Sequence, residues 1–269
     1  MAYYLVLFLF TAILAWAHNG ETKVSKSFFF AFCLCIGLFV GLADMLGGYD
    51  RYIYSEVFER MHESISEGVV FSQSFLLFFG KEPVYGLIND LIAFFTPNRY
   101  VFILVYTLAL YVVYAINFYR YTKNPFFALL IFEGLMFFFT FTYLRQMVGV
   151  GFAWFAIRYV YKKDLYKFII CVLVAASFHN SAIILFPLYF LPIKRFSQRS
   201  IIIIMSICLV LGLSGGPSAL FRLYGDVTNM QYRTDSYAEQ EIGFRYEYII
   251  EVLVFLYLIL KNYSLIPTF

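Results

Sequence analysis

Several strongly polar side chains stand beside long apolar runs, and their types are those that bind phosphate and move protons. His179 and Asn180 lie in SFHNSA, between the apolar runs FIICVLVAA and IILFPLYFL. Arg145 and Gln146 follow FFFTFTYL in a similar setting. A guanidinium presents a fork of donors that matches phosphate oxygens, and an imidazole exchanges protons near neutral pH. We therefore predict that a polar, phosphate-bearing substrate binds here.

Each of these residues also has an ordinary structural interpretation, which the sequence leaves open. His179 could cap a turn or be a satisfied interior histidine. Arg145 could extend to the outer lipid headgroups, because an arginine at mid-membrane costs roughly 2.5–3.5 kcal/mol on insertion scales. Asp50 and Glu82 open helical patterns and could interact only with the helix dipole. For Arg145 the functional interpretation is favoured, because Gln146 adds a second strong polar group at the same tight connection.

The elements that must position these side chains are apolar along almost the whole chain. Of the 269 residues, 62% are hydrophobic and 14% are charged, whereas soluble domains are typically about half apolar and about a quarter charged. The recurring apolar runs predict an all-α fold, a polytopic transmembrane helical bundle of about nine spans in one integral-membrane domain, residues 1–269. The expected spans are 2–17, 27–46, 99–119, 125–144, 146–161, 166–178, 181–193, 200–213 and 247–260.

The connections between the expected spans sort by charge. The segments HNGETKVSK, YRYTKN, RYVYKKDLYK, IKRFSQR and the tail from Lys261 hold 12 of the 20 basic residues, whereas the segments 47–98 and 214–246 hold 11 of the 17 acidic residues. The positive-inside rule assigns the basic set to the cytoplasm, with the N-terminus outside and the C-terminus inside. Arg145 and His179 are then expected at the outer face. No Gly-rich phosphate loop is present, so ATP hydrolysis within this chain is not expected.

The outer segment 47–98 has two helical patterns. In DRYIYSEVFERMHESISEG, the apolar residues Ile53, Val57, Met61 and Ile65 recur every four positions, which predicts an amphipathic helix on the membrane surface. EPVYGLINDLIAFF carries a second pattern with proline in its first turn. Because this second stretch is short for a bilayer, we expect a re-entrant or interfacial half-helix.

The remaining unusual residues favour structural interpretations. Glu133, inside ALLIFEGLMFF, is expected to face other helices, either protonated or paired. Gly37 and Gly41 form a small-xxx-small pair, and Gly149 and Gly151 permit close helix packing. The four cysteines and three histidines have no spacing typical of a metal site. We therefore expect no metal and no cofactor, and nothing in the composition indicates a nucleic-acid partner.

Four of these features, taken in order, resemble the EpsG-like branch of the Wzy polysaccharide polymerases. They are GYDRYIY after the second span, EPVYGLI before the third, LRQ at an outer helix end and SFHNSAIILFPLYFL, together covering about residues 40–193. The resemblance implies a multi-pass protein of the bacterial cytoplasmic (inner) membrane, similar in architecture to GT-C-like membrane glycosyltransferases. It also implies an enzyme that polymerises undecaprenyl-pyrophosphate-linked repeat units on the outer face, giving O-antigen, capsule or exopolysaccharide.

This family activity implies roles for the polar residues. Arg145, with Gln146 and His179, would stabilise the departing pyrophosphate, and His179 could also donate a proton to it or hydrogen-bond it while neutral. Asp50 and Glu82 are candidates for the base or the positioning carboxylate that the acceptor hydroxyl needs.

Four further residues are predicted to contact the substrate. Arg233 and Arg245, in the outer loop 214–246, would help capture the lipid-linked glycan, and Arg51 and Asn180 complete the substrate-binding set. The resemblance implies a flippase and a chain-length regulator as partner proteins. Relatives usually continue with further spans, so we expect a chain that is short at its C-terminal end, as either a shorter relative or a truncated reading frame.

Two other functions place polar groups in an apolar chain of this kind. One is a transporter or flippase of the same lipid-linked oligosaccharide, for which an internal repeat would be expected; the sequence has none visible by eye. The other is a membrane transferase that modifies the glycan, such as an acyltransferase. The outward bias of the polar residues favours the polymerase.

Overall fold

A computed structural model provides the structure of the protein and describes residues 2–19, 24–43, 49–68, 82–191, 194–214, 219, 222–223 and 246–265. Every regular element within these ranges is helical, in agreement with the predicted all-α class. The chain divides into two compact units, Met1–Leu191 and Pro192–Phe269. A single domain over residues 1–269 therefore stays a prediction.

The helices coincide with the expected spans and with both outer patterns. The first unit contains α1 (Ala2–Ala17), α2 (Lys26–Leu42), α3 (Tyr49–Ser66), α4 (Pro83–Phe95), α5 (Arg99–Tyr121), α6 (Pro125–Met136), α7 (Phe139–Thr142), α8 (Leu144–Tyr161), α9 (Leu165–Phe178) and a 3₁₀ helix (Asn180–Phe190). The second unit contains α10 (Gln198–Leu213), α11 (Tyr246–Lys261) and a short 3₁₀ turn (Tyr263–Leu265). Within the described ranges, α5 alone is long and apolar enough by itself to cross a membrane, so the count of nine spans stays a prediction.

Local sequence signals explain where several helices begin. The side chains of Asn98, Asn124 and Asp164 each accept a hydrogen bond from a backbone N–H in the first turn of α5, α6 and α9. Such side chains satisfy donors that have no partner inside the helix. Pro83 and Pro125 occupy the first turn of α4 and α6, where a missing N–H is tolerated.

Two of the expected spans are not continuous α-helices. The span expected at 125–144 ends as α6 at Met136 and resumes as α7 at Phe139. At this break the Thr140 hydroxyl donates to the Phe137 carbonyl at 2.6 Å, so that the interrupted backbone keeps a partner. The span expected at 181–193 is described as a 3₁₀ helix of 11 residues. With a rise of about 2.0 Å per residue, that helix extends about 22 Å, more than an α-helix of equal length.

Glycines allow the closest helix contacts around the central helix α5, as the small-residue pattern predicted. A Cβ atom added at Gly41 would overlap Thr107 Oγ1, and one added at Gly151 would lie 2.7 Å from Val113 Cγ1. Both separations are shorter than van der Waals contact, so α2 and α8 approach α5 only because these positions carry no side chain. Asn117 joins the same contact by donating to the Gly151 carbonyl at 3.0 Å.

Helix α3 packs against α4 and α5, and its buried face differs from the predicted apolar stripe. Phe58 and Met61 are fully buried, whereas Ile53 is 38% exposed. Arg51 and Ser55 are fully buried on the same helix. The reason is that Arg51 forms hydrogen bonds with the end of α2, which turns this polar side of α3 toward the bundle. A location of α3 on the membrane surface stays a prediction.

Glu133 is buried inside the bundle, where the sequence predicted that it would face other helices. Its side chain lies against Thr11, with 3.0 Å between Oε1 and Oγ1. The Thr11 hydroxyl also lies 3.0 Å from the Leu7 carbonyl, so its one proton is shared between these two acceptors. The other oxygen of Glu133, Oε2, is buried and has no partner among the described residues.

Candidate functional site

Three helix ends meet at one end of the first unit, and each brings a polar side chain. Glu82 is the residue before α4, Arg145 lies in the first turn of α8, and His179 is the residue after α9. The backbone at His179 is extended, with φ −151° and ψ 114°, so the chain leaves α9 before the 3₁₀ helix begins. Because α8 and α9 form an antiparallel hairpin, the start of one and the end of the other lie side by side.

The carboxylate of Glu82 connects the three residues. Its Oε1 accepts hydrogen bonds from His179 Nδ1 at 3.0 Å and from the backbone N–H of Asn180 at 3.2 Å. Its Oε2 accepts from Arg145 Nη1 in an ion pair. The Glu82 side chain is 9% exposed, whereas those of Arg145 and His179 are each 24% exposed. We call this set, Glu82 with Arg145, His179 and the Asn180 N–H, the Glu82 network.

The network holds Glu82 ionised. Burial is the largest single influence and taken alone raises the pKa of Glu82. The hydrogen bond from His179, the charge of Arg145 and the Asn180 N–H together outweigh burial, and the pKa of Glu82 lies below its ordinary value. An ionised carboxylate can only accept, so His179 Nδ1 carries a proton. In the neutral imidazole, Nε2 then holds a lone pair, and no described residue hydrogen-bonds it.

Two tyrosine rings lie close to the Arg145 guanidinium. Its Cζ lies 5.4 Å from the ring centroid of Tyr54 and 5.9 Å from that of Tyr85, within the range of cation–π attraction. Burial raises the pKa of Tyr54, and the nearby charge of Arg145 opposes this effect. Nε of Arg145 is buried and has no acceptor among the described residues. Part of the guanidinium therefore has donor capacity that the described part of the chain does not use.

The structure brings together four of the predicted site residues, namely Glu82, Arg145, His179 and Asn180. Asp50 is not part of this set. It is half-buried on α3, one turn before Tyr54, and its charge acts on the pKa of that tyrosine. Asp50 therefore lies near the network but outside it, and its role as a base stays a prediction.

Arg51 has a structural environment. It is fully buried, and its Nη2 donates to the carbonyls of Val40 at 3.2 Å, Gly41 at 3.4 Å and Ala43 at 3.0 Å. These carbonyls belong to the last turn of α2 and the residue after it, where a cation also interacts favourably with the helix dipole. This geometry accounts for Arg51 without a substrate, and its predicted substrate contact is untested.

The other predicted site residues are exposed or lie outside the described residues. Gln146 follows Arg145 in α8 and is exposed. Arg233 and Arg245 fall outside the residues that the structure describes. Tyr54 and Tyr85 were not predicted as site residues, although both occur in the quoted motifs GYDRYIY and EPVYGLI. For Tyr85, the spacing in the sequence could have indicated this role. Tyr85 follows Glu82 by three residues, and residues with that spacing lie on one side of a helical turn.

The opposite end of the α8–α9 hairpin is basic. Lys162 and Lys163 follow α8, and Lys167 lies in the first turn of α9. Helix α8 has 18 residues, which at about 1.5 Å per residue separates this basic end from the Glu82 network by about 27 Å. Within the ranges the structure describes, no group of three acidic, His or Cys side chains is arranged to hold a metal ion.

The comparisons with known proteins give a family. No curated protein and no solved structure matches the chain. The family model described as the EpsG family matches residues 26–266, a range that contains every member of the Glu82 network. The chain therefore belongs to the EpsG family, a Wzy-like polysaccharide polymerase family of membrane proteins.

Proposed function

We propose that the protein is a membrane glycosyltransferase that joins repeat units carried on undecaprenyl pyrophosphate into a long glycan at the outer face of the bacterial cytoplasmic membrane. The observation that carries the proposal is the Glu82 network, which holds an imidazole and a guanidinium side by side at one end of the bundle. Family membership supports a polysaccharide polymerase. The carrier lipid, the class of glycan and the sidedness belong to the proposal.

The reaction needs one proton to move and one leaving group to depart. A hydroxyl of the acceptor sugar attacks the anomeric carbon of the donor glycan, and a new C–O bond forms. The bond between that carbon and the diphosphate oxygen breaks, and the diphosphate leaves with the electron pair. A diphosphate ester departs as a stable anion without protonation, whereas the attacking hydroxyl must lose its proton. The imidazole is therefore more useful as a base than as an acid.

His179 fits the base. Its Nδ1–H donates to Glu82, so Nε2 holds the lone pair that can take the hydroxyl proton. The imidazolium that results is stabilised by the Glu82 carboxylate, which orients the ring through the same bond. Glu82 itself is a poor base here, because it already accepts three hydrogen bonds and its pKa is lowered. This assignment makes Glu82 the positioning carboxylate.

Arg145 fits the group that stabilises the leaving diphosphate. Glu82 engages Nη1 and Nε is buried, so Nη2 is the nitrogen that would donate to a phosphate oxygen. The rings of Tyr54 and Tyr85 lie close to the guanidinium and restrict its movement. Fixed donors that meet developing negative charge in a water-poor site are an effective source of rate acceleration. The side chain is 24% exposed, which leaves it accessible to a phosphate oxygen.

Sidedness follows from charge. The basic residues after α8 and at the start of α9 lie at the far end of the hairpin from the network. The positive-inside rule assigns that basic end to the cytoplasm and the Glu82 network to the outer side. An outer site matches a substrate whose diphosphate lies at the outer membrane–water interface. Cysteine labelling from either side of the membrane checks this; a residue 145 or 179 accessible only from the cytosol contradicts it.

The central test is a reaction with purified protein and a synthetic undecaprenyl-diphosphate-linked repeat unit, read by glycan length. Arg145→Ala and His179→Ala should each abolish chain growth while the protein still inserts into the membrane. Two matched controls come from the same unit: Arg99→Ala, which removes an arginine paired with Glu59, and His62→Ala. Both controls should still form long glycan. Long glycan in the two site variants would contradict the site assignment.

Cells that lack the protein separate the proposal from its alternatives. Loss of a polymerase leaves single repeat units that are exported but not joined. Loss of a flippase leaves the units facing the cytoplasm, and loss of a modifying transferase leaves chain length normal. Only the first outcome agrees with the proposed function.

A further inference from the structure

Gly149 lies where α8 touches the end of α9. A Cβ atom added there would lie 3.1 Å from the carbonyl oxygen of Ala175 and 3.4 Å from Cβ of His179. The Ala175 carbonyl accepts the backbone N–H of His179 at 3.0 Å, so the same last turn of α9 fixes the backbone that carries the imidazole. Helix α8 therefore contacts His179 directly through the surface that Gly149 leaves open.

The same helix also holds the other side of the network. Arg145 precedes Gly149 by four residues, so the two share one face of α8. Arg145 binds Glu82, Glu82 accepts from His179, and His179 lies against Gly149. These contacts close a ring in which the spacing between α8 and α9 decides how far the imidazole lies from the carboxylate. The present spacing gives 3.0 Å between His179 Nδ1 and Glu82 Oε1.

We propose that Gly149 is a positioning residue for His179: its missing side chain lets α9 approach α8 closely enough for the imidazole to reach Glu82. This inference deepens the proposed function and rests on it for the meaning of His179, although the geometry can be tested without any glycan. A larger residue at 149 pushes the last turn of α9 outward by a few tenths of an ångström. The bonds from His179 Nδ1 and from the Asn180 N–H then lengthen together, and both weaken steeply beyond about 3.2 Å.

The charges that face His179 determine how moving its imidazole changes the interactions of the ring. These are the carboxylate of Glu82 and the guanidinium of Arg145, with the phenols of Tyr54 and Tyr85 beside Arg145. The carboxylate favours the protonated imidazole, and the guanidinium opposes it. Moving the ring away from Glu82 therefore weakens the attraction between the carboxylate and the imidazole, in the same sense as removing the carboxylate charge.

The test measures the reaction of diethyl pyrocarbonate with His179, because this reagent attacks only the unprotonated imidazole. The purified full-length protein is modified across pH 5 to about 9, and peptide mass spectrometry follows His179 separately from His18 and His62. Glu82→Gln is the reference variant for comparison, because it removes the carboxylate charge completely. Gly149→Val should move the pH dependence in the same direction as Glu82→Gln but less far, and Gly149→Ala less than Gly149→Val.

Two glycines provide matched controls. A Cβ at Gly151 would meet Val113 of α5 at 2.7 Å, so Gly151→Ala disturbs packing two residues further along α8 without touching His179. A Cβ at Gly134 would have only Phe8 nearby, at 3.8 Å, so Gly134→Ala changes a helical glycine that has room. Neither control should shift the midpoint. Glycan synthesis by the same proteins should fall in Gly149→Val and persist in Gly134→Ala.

Each result has a distinct meaning. A shift in the Gly149 variants alone supports the positioning role, whether or not glycan forms. If the protein makes no glycan but the shift is present, the proposed function fails and the positioning role stands. An equal shift in Gly151→Ala, or no shift in Gly149→Val while Glu82→Gln shifts, overturns the positioning role. If Gly149→Val does not fold, the same criteria apply to Gly149→Ala.

Discussion

Replacing Glu82 by glutamine tests the Glu82 network with almost no change of shape. The amide oxygen of the variant can still accept from His179 and from the Asn180 N–H, as Oε1 does now. The amide nitrogen, however, replaces the oxygen that accepts from Arg145. A donor then faces a donor, and the guanidinium loses its counter-ion in a setting where it is only 24% exposed.

The loss of stability expected for Glu82→Gln lies between two known limits. Removing one partner of a fully buried ion pair costs about 3–5 kcal/mol, whereas exposed pairs contribute about 0–1 kcal/mol. The Glu82 side chain is 9% exposed and nearer the buried limit, and its partner is less buried. We therefore expect Glu82→Gln to lower the free energy of unfolding by about 2–3 kcal/mol. In the double variant with Arg145→Gln, most of this loss should not be additive, because both changes remove the same pair.

A matched pair in the same unit provides the control. Glu59 forms an ion pair with Arg99 at 2.5 Å, but these side chains are 36% and 29% exposed. Glu59→Gln should lower stability by less than about 1 kcal/mol and leave chain growth intact. Thermal unfolding in detergent and the glycan-length assay measure both effects. If Glu82→Gln is no more destabilising than Glu59→Gln, or if it still makes long glycan, the reasoning about the network is refuted.

The stability lost in Glu82→Gln depends on pH, and the direction of this dependence can be worked out. Because the pKa of Glu82 is lowered in the folded protein, its stabilising effect is complete above the ordinary value near 4.5 and is lost as pH falls through the lower folded value. The comparison is best made in a His179→Gln background, which removes the titration of the imidazole. In that background, the stability lost on adding Glu82→Gln should be constant from pH 8 to about 5 and shrink only in more acidic solution.

Two further predictions concern the bundle. Gly41→Ala should destabilise the protein by about 1–3 kcal/mol, because its Cβ would overlap Thr107 Oγ1. Gly37→Ala should change stability little, because its Cβ would meet neighbours at 3.4 Å. Equal unfolding temperatures for the two variants would contradict the close contact at Gly41. Glu133→Gln should retain stability within about 1 kcal/mol, because the amide oxygen can accept from Thr11 as Oε1 does, whereas Glu133→Ala loses the bond and leaves a cavity. A large loss in the glutamine variant would indicate that the carboxyl group is ionised.

Helix positions could be predicted from the sequence because apolar runs, prolines and capping residues act over a few neighbouring positions. The pairing of Glu82 with His179 could not, since the two are 97 residues apart and meet only through packing of α4 and α9. Charge sorting did place Arg145 and His179 at one end of the bundle. It did not indicate that Glu82 would bind both, or that tyrosines would flank the arginine.

Arg51 shows a different limit of sequence reasoning. An arginine next to Asp50 at an outer helix start is typical of a substrate contact, and it was predicted as one. In the structure, Arg51 donates to backbone carbonyls of the last turn of α2 and of Ala43, and its predicted substrate contact stays untested. No local sequence pattern indicates that these carbonyls need a donor, because the carbonyls and the guanidinium come from two helices whose packing determines the distance between them.

The distribution of polar groups along the helices bears on the choice between an enzyme and a transporter. Transporter sites typically lie near the bilayer midplane, where broken helices expose polar groups to a cavity. In the described first unit, three interior polar side chains contact neighbouring helices: Glu133 with Thr11, Asn117 with the Gly151 carbonyl, and Thr140 beside the Tyr111 hydroxyl. Oε2 of Glu133 and Oδ1 of Asn117 are nevertheless buried without a partner among the described residues. The group with accessible donors and an available imidazole nitrogen lies instead at helix ends. Under the proposed function, the diphosphate of the carrier lipid would meet these helix ends, and the reaction would need no passage for the glycan through the bundle.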